Sequence, residues 1–200
     1  MCALVINVDG IEANQNEKEI ESINGYLHND NIDKIYEKYP LTKAQQDIIV
    51  EYFNNKNSNK YNICFEVVFS ENYDKDKLNK VLNKIVNKYY VFKNNIIFKN
   101  GIFYQQPNNK KIKINCENIK LEDYLEVKKQ FNLPLELLSG ESFYIKHYHV
   151  ENKNYILFNI HHVFFDGISV KLFIEEIINL YNNNKFINKN VYLGFVFRNE

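Results

Sequence analysis

Ile160-His161-His162-Val163-Phe164-Phe165-Asp166-Gly167-Ile168-Ser169 is the stretch around which the rest of the chain falls into place. Just upstream, Tyr155-Ile156-Leu157-Phe158-Asn159-Ile160 is rich in aromatic and β-branched residues, which predicts a buried strand. Just downstream, from Val170 to Tyr181, apolar residues recur at three and four, which predicts an amphipathic helix. Two histidines, an aspartate and a glycine therefore fall where a strand hands over to a helix. Asp166-Gly167 suits a tight bend, because glycine has no Cβ to clash at positive φ. Ser169 is placed to cap the helix that follows.

Working outward, Thr42 is a helix cap for a segment running through Phe53, with Ala44, Ile48, Ile49 and Tyr52 on one face. Polar residues from Asn54 to Lys60 predict a loop, and Tyr61 to Phe69 the next strand. Asp74 then caps a helix that carries Leu78, Val81, Leu82, Ile85, Val86 and Tyr89 at helical spacing. Asn100-Gly101 between Asn95–Lys99 and Ile102–Gln105 is the strongest hairpin signal in the chain. Lys110 to Cys116 alternates and predicts a further strand, and Leu121 to Gln130 a short helix. Ser142–Val150 and Asn154–Ile160 pair across the polar turn Glu151-Asn152-Lys153. At the N-terminus, Ala3–Val8 predicts a short strand and Glu17–Tyr26 a short helix. Strands interleaved with helices and hairpins predict a mixed α/β (α+β layered) fold, with a sheet flanked by helices.

Composition narrows the function classes. The 200 residues, 45% hydrophobic and 25% charged, suit one globular domain or one large lobe. The formal net charge is zero and the basic residues are dispersed, so no nucleic-acid partner is expected. No apolar run reaches membrane-spanning length and no secretory leader pattern opens the chain, so no membrane partner and a cytoplasmic location are expected. Cys2, Cys64 and Cys116 make neither a zinc pattern nor a disulfide framework, and Cys64 reads as a core residue. His147 and His149 share a strand face and could join His161 or His162 around a metal. No carboxylate or cysteine completes a ligand set at the usual spacing, so no metal is expected and both read as half-exposed strand residues.

His161, His162, Asp166 and Gly167 in their strand-to-helix setting resemble the HHxxxDG motif of chloramphenicol-acetyltransferase-like acyltransferases, above all that of condensation domains in nonribosomal peptide synthetases. Tyr39-Pro40-Leu41-Thr42-Lys43-Ala44-Gln45-Gln46 resembles the same family's Pro-Leu-(Ser/Thr)-x-Ala-Gln string. Phe131-Asn132-Leu133 through Gly140-Glu141-Ser142-Phe143 resembles the segment leading to the strand before the histidines. The resemblance runs from about Ile35 to the C-terminus. It implies a chloramphenicol-acetyltransferase-like N-terminal lobe over residues 35–200, with residues 1–34 as an extension that serves as a leader or a docking element. Condensation domains consist of two similar lobes, so the C-terminal lobe of the same domain is an expected partner.

The family reaction is amide formation, by attack of a carrier-tethered amine on a carrier-tethered acyl thioester. The resemblance thus implies peptidyl or acyl carrier proteins as partners, substrates held on their phosphopantetheine arms, and no covalently bound cofactor. In the family the second histidine faces the reaction centre, which assigns the catalytic role to His162. Imidazole, with an ordinary pKa of about 6.5, can accept a proton near neutral pH. His161 points to the other side of an extended chain and is expected to pack. Asp166 is expected to hold the loop by pairing with a basic residue, and Gly167 to keep the backbone compact and line the substrate channel. Where the family carries two arginines, this chain has Lys88 and Lys93, the candidate partners of Asp166. Lysine cannot reproduce a bidentate fork to a carboxylate. Two other readings stand beside this one: a stand-alone, trimeric acyltransferase using acyl-CoA, and a non-catalytic lobe kept as a carrier-protein docking or scaffold surface.

Overall fold

The computed structural model describes residues 38–183 and the backbone of 191–195. The expected strand and helix before residue 34, and Cys2, lie outside the described residues.

The principal sheet has the order β5-β6-β7-β2-β8. At its centre β2 (Asn62–Phe69) pairs antiparallel with β7 (Lys153–His161) on one side and with β8 (Val191–Phe195) on the other. Beyond β7 lies β6 (Phe143–Val150), antiparallel, and then the short β5 (Cys116–Asn118), which is parallel to β6. The β6–β7 hairpin turns through Glu151 at φ 54°. The register sets His161, the last residue of β7, opposite Asn62, the first of β2.

Both faces of this sheet are covered, which is why β2 and β7 read as continuous apolar runs rather than as alternating ones. On one face Phe65, Val67, Phe69, Ile156, Phe158 and Ile160 pack against α2 (Lys75–Lys88) and α4 (Gly167–Tyr181). Phe65 and Phe158 stack at 4.6 Å across the strand pair. Each such side chain, fully buried, contributes about 1.5–3 kcal/mol. On the other face Cys64 and Leu157 meet Tyr124 of α3 (Leu121–Lys129) and Phe131. Glu66 on that face is buried but satisfied, accepting from the Tyr124 hydroxyl at 2.8 Å and pairing with Lys128.

A second, three-stranded sheet has the order β1-β4-β3, from β1 (Tyr39–Pro40), β3 (Asn94–Lys99) and β4 (Ile102–Pro107). The β3–β4 turn has Asn100 at φ 53° and Gly101 at φ 78°, the two positive values that a tight two-residue hairpin requires. This small sheet and α1 (Lys43–Asn54) build a separate core from Leu41, Ile49, Tyr52, Ile96, Leu137 and Val163. Val163 belongs to the histidine loop, so that core holds the loop from below. Ala44, expected on the apolar face of α1, is exposed.

The expected strand from Lys110 to Cys116 forms only at its end, in β5. Before it, the segment lies along α2 and takes its hydrogen bonds from asparagine side chains. Asn87 Oδ1 accepts from Ile112 N at 3.0 Å and Asn83 Oδ1 from Ile114 N at 2.8 Å. The Asn87 and Asn83 amides donate back to the Ile112 and Ile114 carbonyls, at 2.7 and 2.8 Å. Asparagines one helical turn apart therefore substitute for a neighbouring strand. The segment keeps the alternation of a strand because Ile114 is buried while Lys111 and Lys113 face solvent.

Candidate active site

The loop from His162 to Asp166 joins β7 to α4, and its backbone is held at several points. His161 N donates to Ser142 O at 3.0 Å and His162 N to Tyr61 O at 2.7 Å. Phe164 N closes a turn onto His161 O at 3.1 Å. Val163 N donates to His161 Nδ1 at 3.2 Å, and Val163 O accepts from Gln45 Nε2 at 2.8 Å.

The two histidines part company at this point. His161 is 2% exposed and packs edge-on to Tyr52, with ring centroids 5.8 Å apart. Burial, and behind it the His162 charge, push its pKa down to about 4. A neutral ring that accepts at Nδ1 carries its proton on Nε2. His161 is thus a packed, uncharged support, as expected from its strand direction. His162, one residue on, has its side chain exposed to solvent. Its backbone N–H is held by Tyr61 O while its side chain faces solvent.

Asp166 departs from expectation. Lys88 Nζ is 3.0 Å from Glu176 Oε1, and Lys93 Nζ donates to Asn87 O at 2.6 Å. Neither lysine reaches Asp166, which is exposed and sits in no ion pair among the described residues. Its Oδ1 accepts from Ser169 N and Ser169 Oγ, both at 2.7 Å, making Asp166 the N-cap of α4. Those hydrogen bonds hold its carboxyl below the ordinary range. The capping role expected of Ser169 is reversed: Ser169 is the donor. The physical reason is solvent exposure, since a carboxylate in water needs no buried cation and the open N–H groups of the helix terminus are its nearest donors. Gly167 is the first residue of α4 and does not take a positive φ, so no strained bend requires it. A Cβ there would meet nothing within 4 Å.

Beside the loop, Phe164, Phe165, Leu172 and Phe173 line an apolar hollow of about 230 Å³, with Ser169 and Glu176 among its walls. Asn62 and Asn159 hold the neighbouring segment, each donating to Leu133 O, at 2.7 and 2.9 Å. Sequence reasoning missed both asparagines, whose signal was only their place as polar residues in apolar strands. Gln45 was singled out only as part of the Pro-Leu-Thr-x-Ala-Gln string, and its place three residues after Thr42, a capping-box pattern, was not read.

Among the described residues no group of three or more His, Cys, Asp or Glu is disposed to hold a metal ion. His147 is fully buried rather than half-exposed, with Nε2 3.1 Å from Asn154 Oδ1 and Nδ1 3.2 Å from Asn79 Oδ1, of which the neutral ring donates to one. Its pKa is pushed down to about 4, chiefly by burial. Burial pushes the Cys64 thiol up to about 12, as suits an inert core residue.

A family model of the condensation domain matches residues 35–192. The chain belongs to the condensation-domain family. It is 25% identical over 158 residues to bacitracin synthase 3 of Bacillus licheniformis, covering 77% of this chain and 2% of that protein. Over 146 residues it is 25% identical to surfactin synthase subunit 2 of Bacillus subtilis (strain 168), covering 72% of this chain and 4% of that protein. The starter condensation domain of the rhizomide synthetase superposes with a TM-score of 0.62 at 16% identity, over 72% of this chain and 37% of that one. The condensation domain of the monacolin K polyketide synthase gives 0.64 at 14% identity, over 75% of this chain and 35% of that one. The chain therefore has the condensation-domain fold and spans little more than a third of the solved chains.

Proposed function

We propose that this chain is the N-terminal, histidine-bearing lobe of a nonribosomal peptide synthetase condensation domain, forming an amide from two carrier-tethered substrates. The amine nitrogen attacks the acyl thioester carbonyl, the C–S bond breaks, and the phosphopantetheine thiol leaves with the proton the nitrogen gives up. His162 orients or deprotonates that nitrogen. The observation carrying this reading is the exposed His162 ring on a backbone held through His161 N, His162 N, Val163 N and Val163 O. A positioned base contributes about 10²–10⁴-fold, and alignment of two tethered reactants contributes more.

The open space in front of Gly167 suits the wall of a substrate channel. A variant of the rhizomide starter condensation domain is known in complex with C8-CoA, and an acyl thioester is the donor proposed here. The partners are peptidyl or acyl carrier proteins bearing phosphopantetheine, together with a second lobe that completes the cleft. No described helix is long and apolar enough to cross a membrane, and a cytoplasmic location is proposed with the synthetase setting.

The test is His162→Ala in the protein that carries both lobes, given a carrier-bound acyl donor and a carrier-bound aminoacyl acceptor. Amide formation should fall by about 100-fold or more, with the melting temperature unchanged because the ring is exposed. Wild-type transfer by the variant would refute the assignment.

A further inference from the structure

We infer that Gln45 is a positioning residue for His162, an inference that rests on the acyl-transfer reading above. The two atoms of its carboxamide do different work. Oε1 accepts from Thr42 N at 3.0 Å, completing a capping box in which Thr42 Oγ1 accepts from Gln45 N at 3.3 Å. Nε2 donates to Val163 O at 2.8 Å, across 118 positions of sequence. The two ends cannot be exchanged: a flipped amide would set two donors face to face at Thr42 and two acceptors face to face at Val163.

This bond fixes the loop on the side where it has least else to hold it. On the N-terminal side of His162 the neighbouring strands restrain the chain through His161 N to Ser142 O, and Tyr61 O takes the His162 amide itself. On the C-terminal side, Val163 N and Phe164 N bond back, among the described residues, only to His161. Gln45 is thus the hydrogen bond that ties the far side of His162 to another element. The buried Val163 side chain, packed with Leu41 and Ile49, anchors the same point apolarly. The direction of the His162 Cα–Cβ bond follows from the orientation of the peptides on either side of it, so one of those orientations is set by the first turn of α1.

Gln45→Glu separates the two roles. Glutamate serves the third helical position of a capping box as well as glutamine and has similar helix propensity. It lacks the N–H for Val163 O and presents an oxygen to it. The helix cap is therefore kept while the loop bond is lost. In the two-lobed protein, kcat should fall about 10- to 100-fold, as a misplacement of about an ångström does. KM for both carrier substrates should stay near wild type, and the variant should still unfold cooperatively, with a melting temperature lowered by the lost bond to Val163 O. In the His162→Ala background, the residual single-turnover rate should not fall further on adding Gln45→Glu, because no imidazole remains to be aimed. Wild-type kcat in Gln45→Glu beside an impaired His162→Ala would overturn the role of Gln45 alone. An equal fall in both backgrounds would overturn it too, since the effect would not pass through His162. A His162→Ala protein at wild-type rate would remove the acyl-transfer reading and this inference together.

Discussion

Asp166 offers the sharpest quantitative test, because a buried ion pair and an exposed helix cap differ several-fold in what their loss costs. Breaking a buried pair by removing one partner costs about 3–5 kcal/mol, since the remaining charge is left uncompensated. Removing an N-cap by substitution to alanine costs about 0.5–2 kcal/mol, and asparagine caps nearly as well as aspartate. Here Asp166 is exposed, accepts two hydrogen bonds from Ser169 at 2.7 Å, and is out of reach of both Lys88 and Lys93. Asp166→Ala should therefore lose about 1–2 kcal/mol, its cap plus part of its favourable interaction with the helix dipole. Asp166→Asn should lose less than about 0.5 kcal/mol. Urea denaturation followed by far-ultraviolet circular dichroism at pH 7 measures both. The sign with pH also follows. Because the folded carboxyl is held below its ordinary range by Ser169, its contribution is present above the unfolded value of about 3.9. It is lost as pH falls through the folded value, so the gap between wild type and Asp166→Ala closes in acid. A loss of 3 kcal/mol or more in Asp166→Asn, by the measure of a broken buried pair, would refute the capping account.

Two further outcomes follow from the core. His147 and His161 are buried neutral with pKa values near 4, against about 6.5 when unfolded. The unfolded chain therefore binds more protons between those values, and stability is full above about pH 6.5 and falls as pH drops toward 4. The urea midpoint should decline over that window, less steeply in His147→Gln; a flat midpoint from pH 7.5 to 4.5 would contradict it. Asn83→Ala removes the acceptor of the Ile114 N–H and the shorter of the two hydrogen bonds to the Ile114 C=O, the other coming from Asn79. It should cost about 2–3 kcal/mol, less up to about 0.7 kcal/mol recovered in helix propensity. Hydrogen exchange at the Ile114 amide should accelerate with it, and unchanged protection would mean that the asparagine ladder does not hold the segment.

Periodicity and local chemistry, which any reader of the sequence can see, determined the elements. The apolar run Tyr155–Ile160, the spacing from Leu78 to Val86, the Asn100-Gly101 turn and the caps at Thr42 and Asp74 all specify backbone conformation through residues near in sequence. The motif His161–Gly167 in its strand-to-helix setting determined the family resemblance and singled out His162. Partners distant in sequence were another matter. Alternation at Lys110–Cys116 says that one face is buried, but not whether the backbone bonds to a strand or to Asn83 and Asn87. Asp166 and Ser169 are both capping residues by type, and which one accepts depends on where α4 starts. The fate of Lys88 and Lys93 was decided by Glu176 and the Asn87 carbonyl lying closer than Asp166. Only tertiary packing brings Gln45 to Val163, for a hydrogen bond acts over about 3 Å while a one-dimensional pattern records spacing along the chain and nothing of proximity across it.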